Sequence, residues 1–193
     1  RHTRLAAVSW ARDVYKRQKL RDKLSVFLQD YHVTVVYPLP FNKWLSWVNP
    51  DNGEVQGRRK SPRHFTEYDA FYELYKIKSY LKNPNLSINL VLMDMEEYKL
   101  LNGWSYDKKR GSTRYDRVPV GIRRIVKFDR IEDYMQLVPA DLKEDFTVKD
   151  FAMAAGVSVE ASRYTLNILN YLEIVKRTGR VKNGYVYNVT EEF

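Results

Sequence analysis

Cysteine is absent from the 193-residue sequence, and histidine occurs only three times. A chain without thiol groups has neither disulfide bonds nor a zinc site built from thiolates. The histidines, His2, His32 and His64, lie too far apart in sequence to show the spacing of metal ligands. We therefore predict that the protein holds no metal and needs no cofactor.

Long apolar runs are also missing. No stretch approaches the roughly 20 apolar residues of a membrane-spanning helix, and the apolar stretch at 5–8 is shorter than the core of a signal peptide. With 44% hydrophobic and 14% aromatic residues, the chain still has enough apolar surface to bury a core. The sequence predicts a cytoplasmic protein of one or two domains that does not contact a membrane.

Positive charge is plentiful but uneven, and the formal net charge is +9. Residues 104–127 carry eight Lys or Arg residues against two acids, whereas residues 128–150 carry three against seven. Basic patches of this kind are typical of nucleic-acid binding, because they attract the phosphate backbone. A solvated surface on a basic protein is the alternative interpretation.

The N-terminal stretch 1–18, RHTRLAAVSWARDVYKRQ, differs in character from the rest of the chain. It resembles translated sequencing-adapter sequence, which would make it a non-native or disordered extension. The alternative is a basic amphipathic helix. Because this stretch supplies five Lys or Arg residues and one Asp, the basic character of the protein must rest on the later patches.

Hydrophobic periodicity and turn signals predict a domain over 19–127. Pro38 and Pro40 are expected to end its first strand. The order of elements predicts an α/β or α+β domain with a small mixed sheet. Its predicted helices are 19–30 and 68–81, and its predicted strands are 32–37, 43–48, 54–60 and 86–93.

The C-terminal part carries the most specific local signals. Thr147 and Asp150 form a capping box that starts one helix, and Gly156 ends that helix. Ser158 caps a longer helix, after which two β-like runs are joined by the turn signal Asn183-Gly184. Helix, tight turn, helix and hairpin follow one another in this order.

That order, over 146–189, resembles a winged helix-turn-helix. The resemblance implies that 128–193 is a DNA-binding domain, and a helix started by Asp129 would complete its three-helix core. The implied partner is duplex DNA. A winged helix used for protein contacts is the alternative.

The second helix of this domain would be the one that reads DNA. Its leucines at 166, 169 and 172 face the core, so the opposite face points outward and includes the acidic Glu160. Arginine can bind guanine and asparagine can bind adenine, while cations on the hairpin can reach phosphates or the minor groove. The candidate DNA-binding residues are Arg163, Tyr164 and Asn167 on the helix and Lys176, Arg177, Arg180 and Lys182 on the hairpin.

A basic loop at 104–117 is a second candidate contact. It combines Gly111, two hydroxyl side chains and aromatic residues with four cations, Lys108, Lys109, Arg110 and Arg114. Backbone N–H groups near glycine can cradle phosphate, and aromatic rings can stack on bases. The loop lacks the spacing of a nucleotide-binding P-loop. An exposed basic loop without function is the alternative.

A carboxylate cluster after the predicted strand 86–93 suggests chemistry of a different kind. Asp94 and Glu97-Tyr98-Lys99 resemble the PD-(D/E)xK nuclease pattern, which implies carboxylates that hold Mg²⁺ and a lysine that orients water. In that family the catalytic strand precedes the helix, whereas here it follows. Moving the site to Asp51, Glu54 and Lys60 restores the order but loses the spacing, and solvated charges at a strand exit are the simpler interpretation.

The front half also resembles a family of uncharacterised bacterial proteins, through YPLPFNKWLSWVNPDNGEVQGRRKSP, DAFYELYKIKSYL and LVLMDMEEYKLLNGWSYDKKRGSTRYDRVP. This resemblance implies no activity. Taken together, the patterns predict a DNA-binding protein, such as a transcriptional regulator or a factor associated with mobile elements or defence. A homodimer is compatible with them. The alternatives are a Mg²⁺-dependent nuclease and a non-enzymatic protein-interaction adaptor.

Overall fold

The computed structural model describes residues 4–7, 14–103, 113–182 and 184–190, with side chains from residue 20 onward. The described residues form a mixed α+β fold. Its α-helices are α1 (Val14–Asp30), α2 (Phe71–Leu74), α3 (Val148–Ala155) and α4 (Val159–Tyr171). Its 3-10 helices are Glu67–Ala70, Tyr75–Tyr80 and Ile131–Leu137. Its strands are β1 (Arg4–Ala7), β2 (Val33–Val48), β3 (Val55–Lys60), β4 (Leu86–Leu100), β5 (Thr113–Phe128), β6 (Phe146–Thr147), β7 (Val175–Val181) and β8 (Gly184–Val189).

The strands form two sheets. The larger one has the order β1-β2-β4-β5, and β3 pairs with β2 beside this path. It is a mixed sheet, since β1 runs parallel to β2 and β3 runs antiparallel to it. The smaller sheet has the order β6-β8-β7, and both of its pairings are antiparallel. The prediction of a mixed sheet is confirmed, as is the short strand at 54–60.

The prediction that Pro38 and Pro40 end the first strand is wrong, because β2 runs through both prolines to Val48. A proline cannot donate a backbone hydrogen bond, so it fits a strand only where that edge has no partner. One edge of β2 pairs with β1 up to Val36 and with β3 from Trp44. The prolines lie in the gap between these pairings, where no described strand pairs with that edge.

The strand predicted at 86–93 is also longer than expected, since β4 continues to Leu100. The acidic cluster therefore lies on the strand itself and not at its exit. The next strand, β5, begins at Thr113, within the stretch 104–117 that the sequence predicts as a loop. The sequence did not predict the full length of these strands, because charged residues interrupt the apolar run that marks a buried strand.

The helix predicted at 68–81 is not one continuous α-helix. Residues 67–80, here called the helical segment, consist of a 3-10 turn, the single α-helical turn α2 and a second 3-10 stretch. Ile77 has non-helical backbone angles, with φ −112° and ψ 16°. Six of its fourteen residues are aromatic or β-branched, and such residues have modest helix propensity.

The C-terminal elements agree closely with the local signals. Thr147 accepts a hydrogen bond from the N–H of Asp150, whose carboxylate accepts one from the N–H of Thr147, so the capping box is confirmed. Gly156 ends α3 in the left-handed conformation at φ 65°, which glycine adopts without strain. Ser158 caps α4. Around 129–138 the structure has only the 3-10 helix Ile131–Leu137.

Thr147→Ala is expected to lower the free energy of unfolding by about 1 kcal/mol, because the variant leaves a helical N–H group without its partner. Thr147→Ser, which keeps the hydroxyl group, should recover most of this loss. Urea denaturation followed by circular dichroism at 222 nm measures both effects. Equal losses in the two variants would contradict the assigned capping role.

The chain forms two compact units. The first comprises Arg1–Tyr37, Glu67–Leu90 and Val126–Phe193, and the second comprises Pro38–Thr66 and Val91–Ile125. The predicted division of the chain at residue 128 stays a prediction. In the first unit, Phe71 lies in an aromatic cluster with Phe128 and Tyr134, and the last two rings stack at 4.3 Å between centroids.

The second unit is the basic one. It holds thirteen Lys and Arg residues against seven acids, counted over the whole of its sequence. Cations of β3 lie over two tryptophan rings of β2: Arg58 over Trp44 at 5.1 Å and Arg59 over Trp47 at 5.4 Å. The Cβ of a residue larger than glycine at Gly57, which has φ 65°, would come within 3.3 Å of the Trp47 ring.

Candidate nucleic-acid interface

The strands β7 and β8 form a hairpin, here called the basic hairpin, in the first unit. The exposed strand β7 and the turn after it carry the four cations predicted from the sequence, Lys176, Arg177, Arg180 and Lys182. Lys182 lies in the turn with φ 52°, and the predicted turn residue Asn183 lies outside the described residues. The hairpin therefore brings together four cations that are all exposed to solvent.

Tyrosine rings of β8 hold the two arginines of the hairpin. The Arg177 guanidinium lies 4.2 Å from the centroid of the Tyr185 ring, and the Arg180 guanidinium lies 5.0 Å from the same centroid. Among the described residues, none of the four hairpin cations forms an ion pair with a carboxylate. A cation held by a ring keeps its N–H donors for another acceptor. The sequence analysis did not predict a role for Tyr185. Its position opposite Arg180 follows from the register of the hairpin.

The outward face of α4 has a different environment. Glu160 and Arg163 are exposed, but Tyr164 and Asn167 are half-buried. The Tyr164 ring packs edge-on against Tyr72 and Tyr75 of the helical segment, at 5.0 and 5.5 Å between centroids. The helical segment thus covers part of the face that the sequence assigns to DNA reading.

Polar contacts reinforce this packing between α4 and the helical segment. Lys78 donates a hydrogen bond of 2.9 Å to the Oδ1 atom of Asn167, and its ammonium group lies 5.1 Å from the centroid of the Tyr171 ring. Lys82, just beyond the segment, forms an ion pair with Glu173. Glu173 adopts the left-handed conformation at φ 69°, a backbone region that favours glycine. The sequence could not show these contacts, because they join residues about 90 positions apart.

The predicted basic loop is only partly described. Lys108, Lys109 and Arg110 lie outside the described residues, so their placement stays a prediction. Arg114 is described and lies exposed near the start of β5. The same strand exposes several large apolar side chains between its charges: Tyr115, Val118, Val120, Ile122 and Ile125.

The carboxylates of the nuclease hypothesis are engaged in ion pairs within the second unit. Asp94 is only 7% exposed; it accepts hydrogen bonds from Asn42 at 2.8 Å and from the Arg123 Nε atom at 2.7 Å. The hydrogen bond from Arg123 is the main reason that the pKa of the Asp94 carboxyl group lies below its ordinary value. Asp94 is therefore an ionised, fully partnered group.

Glu97 has the densest surroundings of any carboxylate described here. Its side-chain oxygens lie 2.8 Å from the Arg117 Nε atom, 3.4 Å from the Lys43 Nζ atom and 3.9 Å from the Lys99 Nζ atom. Burial raises the pKa of the Glu97 carboxyl group, but the attraction of Arg117 and Lys43 outweighs burial, and the pKa lies below its ordinary value. Burial also lowers the pKa of the Lys43 ammonium group.

The nuclease candidates do not form a metal site in the described part of the chain. Asp94 and Glu97 are three residues apart on a strand, so they point to opposite faces. Asp51 and Glu54 lie in the exposed turn before β3, and Lys60 lies over the Trp44 ring at 5.9 Å. Within the residues that the structure covers, no group of three His, Asp or Glu side chains could hold a metal ion.

A comparison with protein-family models places residues 15–129 in one family, described as a domain of unknown function (DUF8091). This match covers more than half of the 193 residues. The chain belongs to the DUF8091 family. The resemblance of the front half to uncharacterised bacterial proteins is thereby confirmed, whereas residues 130–193 lie outside the family match.

A relative of the DUF8091 chain is described as an "Uncharacterized protein" from Treponema pallidum (strain Nichols). It is 26% identical over 157 residues, which cover 78% of this chain and 59% of the relative. The chain thus spans less than two thirds of the relative that it matches. No solved structure matches the chain with significance. Among the helices described, none is long and apolar enough to cross a membrane.

Proposed function

We propose that the protein binds duplex DNA through a C-terminal winged helix-turn-helix. The order of elements supports this proposal: a helical turn, β6, α3, α4 and the hairpin of β7 and β8. The three-stranded order β6-β8-β7 is compatible with the sheet of such a fold. Three caps at helix ends, at Thr147, Gly156 and Ser158, specify the same arrangement locally.

The observation that carries the proposal is the basic hairpin. Four exposed cations, none of which forms an ion pair among the described residues, lie on this hairpin, and phosphate groups would neutralise them. Lys176 and Lys182 are six residues apart, so the cations are spread over roughly 20 Å of strand and turn. That length suits contacts with several phosphates of one duplex. Asp145, which accepts a hydrogen bond from Thr178, is the one described acid bonded to the hairpin.

The second unit adds to this proposal. Its excess of cations, together with the predicted loop at 104–117, would supply further phosphate contacts without sequence preference. Such contacts would come from Arg114, Lys108, Lys109 and Arg110. We propose that this binding serves a transcriptional regulator or a factor associated with mobile elements or defence. We also propose that the protein forms a homodimer.

Replacing all four hairpin cations, Lys176, Arg177, Arg180 and Lys182, with glutamine is expected to weaken duplex binding, and the loss of affinity should be roughly 100-fold larger at 50 mM salt than at 200 mM. The reason is counterion release, since each phosphate contact contributes about 0.9 to the slope of log affinity against log salt concentration. The slope for the variant should fall by up to about 3.6. Fluorescence anisotropy with a labelled duplex of about three helical turns measures both quantities.

The matched control replaces four exposed lysines of the same unit that lie outside the hairpin, Lys23, Lys127, Lys143 and Lys149, with glutamine. It changes the net charge equally but should leave most of the salt dependence in place. Equal salt slopes for the two variants would show that the hairpin contributes no more to DNA binding than other exposed lysines do. If the unchanged protein binds no duplex at 50 mM salt, the proposal of DNA binding fails and the adaptor alternative gains.

The nuclease alternative has no supporting observation among the described residues. It predicts cleavage of DNA that depends on Mg²⁺ or Mn²⁺ and is lost in Glu97→Gln or Glu54→Gln. Incubation of plasmid and of single-stranded DNA with each metal tests it directly.

A further inference from the structure

We infer that the basic hairpin, and not the outward face of α4, makes the principal contact with duplex DNA, so that binding tolerates different sequences. This inference rests on the proposed function and adds the mode of contact to it. In the usual docking of a helix-turn-helix, the second helix enters the major groove and its side chains read base edges. Here, the helical segment of the first unit already packs against part of that helix face.

The aromatic packing of α4 is the first observation. Tyr164 lies against both Tyr72 and Tyr75 in edge-on geometry, which is the arrangement that aromatic pairs favour. Exposing Tyr164 to a DNA groove would break both contacts. It would also leave the rings of Tyr72 and Tyr75, already 46% and 41% exposed, still more open to water.

The second observation concerns the one amide on this face. The Oδ1 atom of Asn167 accepts a hydrogen bond from Lys78 at 2.9 Å. A bidentate contact with adenine requires both the oxygen and the nitrogen of an asparagine side chain. The bond from Lys78 takes one of the two lone pairs of that oxygen and holds the side chain against the helical segment. Of the two side chains on this face that could bind a base bidentately, Asn167 is therefore engaged, whereas Arg163 is exposed.

The major groove is also too narrow to admit α4 together with the helical segment. The major groove of B-DNA is about 12 Å wide, and an α-helix with its side chains is about 10–12 Å across. The groove consequently has room for α4 alone. A second helical piece on the outward face of α4, held there by Tyr72, Tyr75 and Lys78, would collide with the walls of the groove.

The basic hairpin has no such cover among the described residues. Its cations are exposed, and its arginines lie over the Tyr185 ring. Lysine binds phosphate as a point charge, and arginine suits phosphates and a narrow minor groove. None of these contacts distinguishes one base sequence from another with the precision of a major-groove contact. The expected ligand is duplex DNA of any sequence.

The test compares variants of the two surfaces on two duplexes of unrelated sequence. Asn167→Ala and Tyr164→Phe are expected to change the affinity for either duplex less than twofold. Arg177→Gln combined with Arg180→Gln should lower the salt slope by about 1.8 and weaken binding to both duplexes about equally. Circular dichroism confirms that each variant is folded.

A crosslink provides a second measurement that does not depend on losing contacts. Because the chain has no native cysteine, Ser79→Cys and Tyr171→Cys create a single pair of thiols. The Tyr171 hydroxyl group lies 3.5 Å from the Ser79 carbonyl oxygen, so a short bismaleimide should join the segment to α4. The crosslinked protein should bind duplex DNA as tightly as the same variant without crosslinker.

Two results would overturn the inference while leaving DNA binding intact. One is a tenfold or greater loss in Asn167→Ala on only one of the duplexes, since that would show base reading. The other is loss of binding on crosslinking, since that would show that α4 must be uncovered. Absence of binding to any duplex by the unmodified protein would instead remove the proposed function itself.

Discussion

Glu97→Gln is expected to lower the free energy of unfolding by about 3 kcal/mol. The substitution keeps the volume of the side chain but removes the charge that three cations share. Arg117, Lys43 and Lys99 would then repel one another while their side chains remain only 18–20% exposed. This residual exposure places the expected loss at the lower end of the range for a broken buried ion pair.

Guanidinium denaturation followed by tryptophan fluorescence measures this loss, because Trp44 and Trp47 lie in the same unit as Glu97. The neighbouring Glu96→Gln is the matched control. Glu96 also pairs with a cation, but its partner Arg58 is 57% exposed, and such surface pairs contribute about 0–1 kcal/mol. Equal losses for the two variants would contradict the distinction between the buried carboxylate of Glu97 and the half-buried one of Glu96.

The contribution of Glu97 to the free energy of unfolding should also depend on pH. Its folded-state pKa lies below the ordinary value of a glutamate, about 4.3, because cations stabilise the ionised form. A depressed carboxyl pKa contributes stability above the unfolded pKa, and this contribution is lost as the pH falls through the folded pKa. The difference between the unchanged protein and Glu97→Gln should therefore be full at pH 7 and shrink below about pH 4.

Phe71→Ala is expected to cost about 3–5 kcal/mol, which is the range for removing a fully buried aromatic side chain. Phe71 is fully buried and meets the rings of Phe128 and Tyr134 edge-on at 6.3 and 6.5 Å. Phe71→Leu, which leaves a smaller cavity, should cost clearly less. Thermal and urea denaturation followed by far-UV circular dichroism measure the change, and a loss below 1 kcal/mol would contradict the central place of this ring.

Phe71 also anchors the helical segment that covers α4. If the cover governs how DNA is bound, Phe71→Leu offers a mild way to loosen it while the chain remains folded. Stability and DNA affinity measured on the same preparations would then show whether the two properties are linked. The descriptions of the family and of the Treponema pallidum relative name no biochemical activity. The binding experiments are therefore the direct test of the proposed function.

Local signals in the sequence determined the C-terminal elements. The capping box at Thr147, the stop at Gly156 and the cap at Ser158 depend on residues at most four positions apart, so their physics is contained in short stretches. The cations of the basic hairpin were identified for the same reason. The resemblance of the front half to an uncharacterised family also needed only the sequence.

Tertiary structure decided everything that depends on distant partners. Pro38 and Pro40 stay within β2 because none of the described strands pairs with that edge at their positions. Asp94 and Glu97 became partnered charges on a long strand because Arg123 and Arg117 reach them from β5. The cover on Tyr164 and Asn167 likewise comes from residues about 90 positions earlier. The helical period of α4 shows which side chains turn away from its own core, but only the folded chain shows what lies against them.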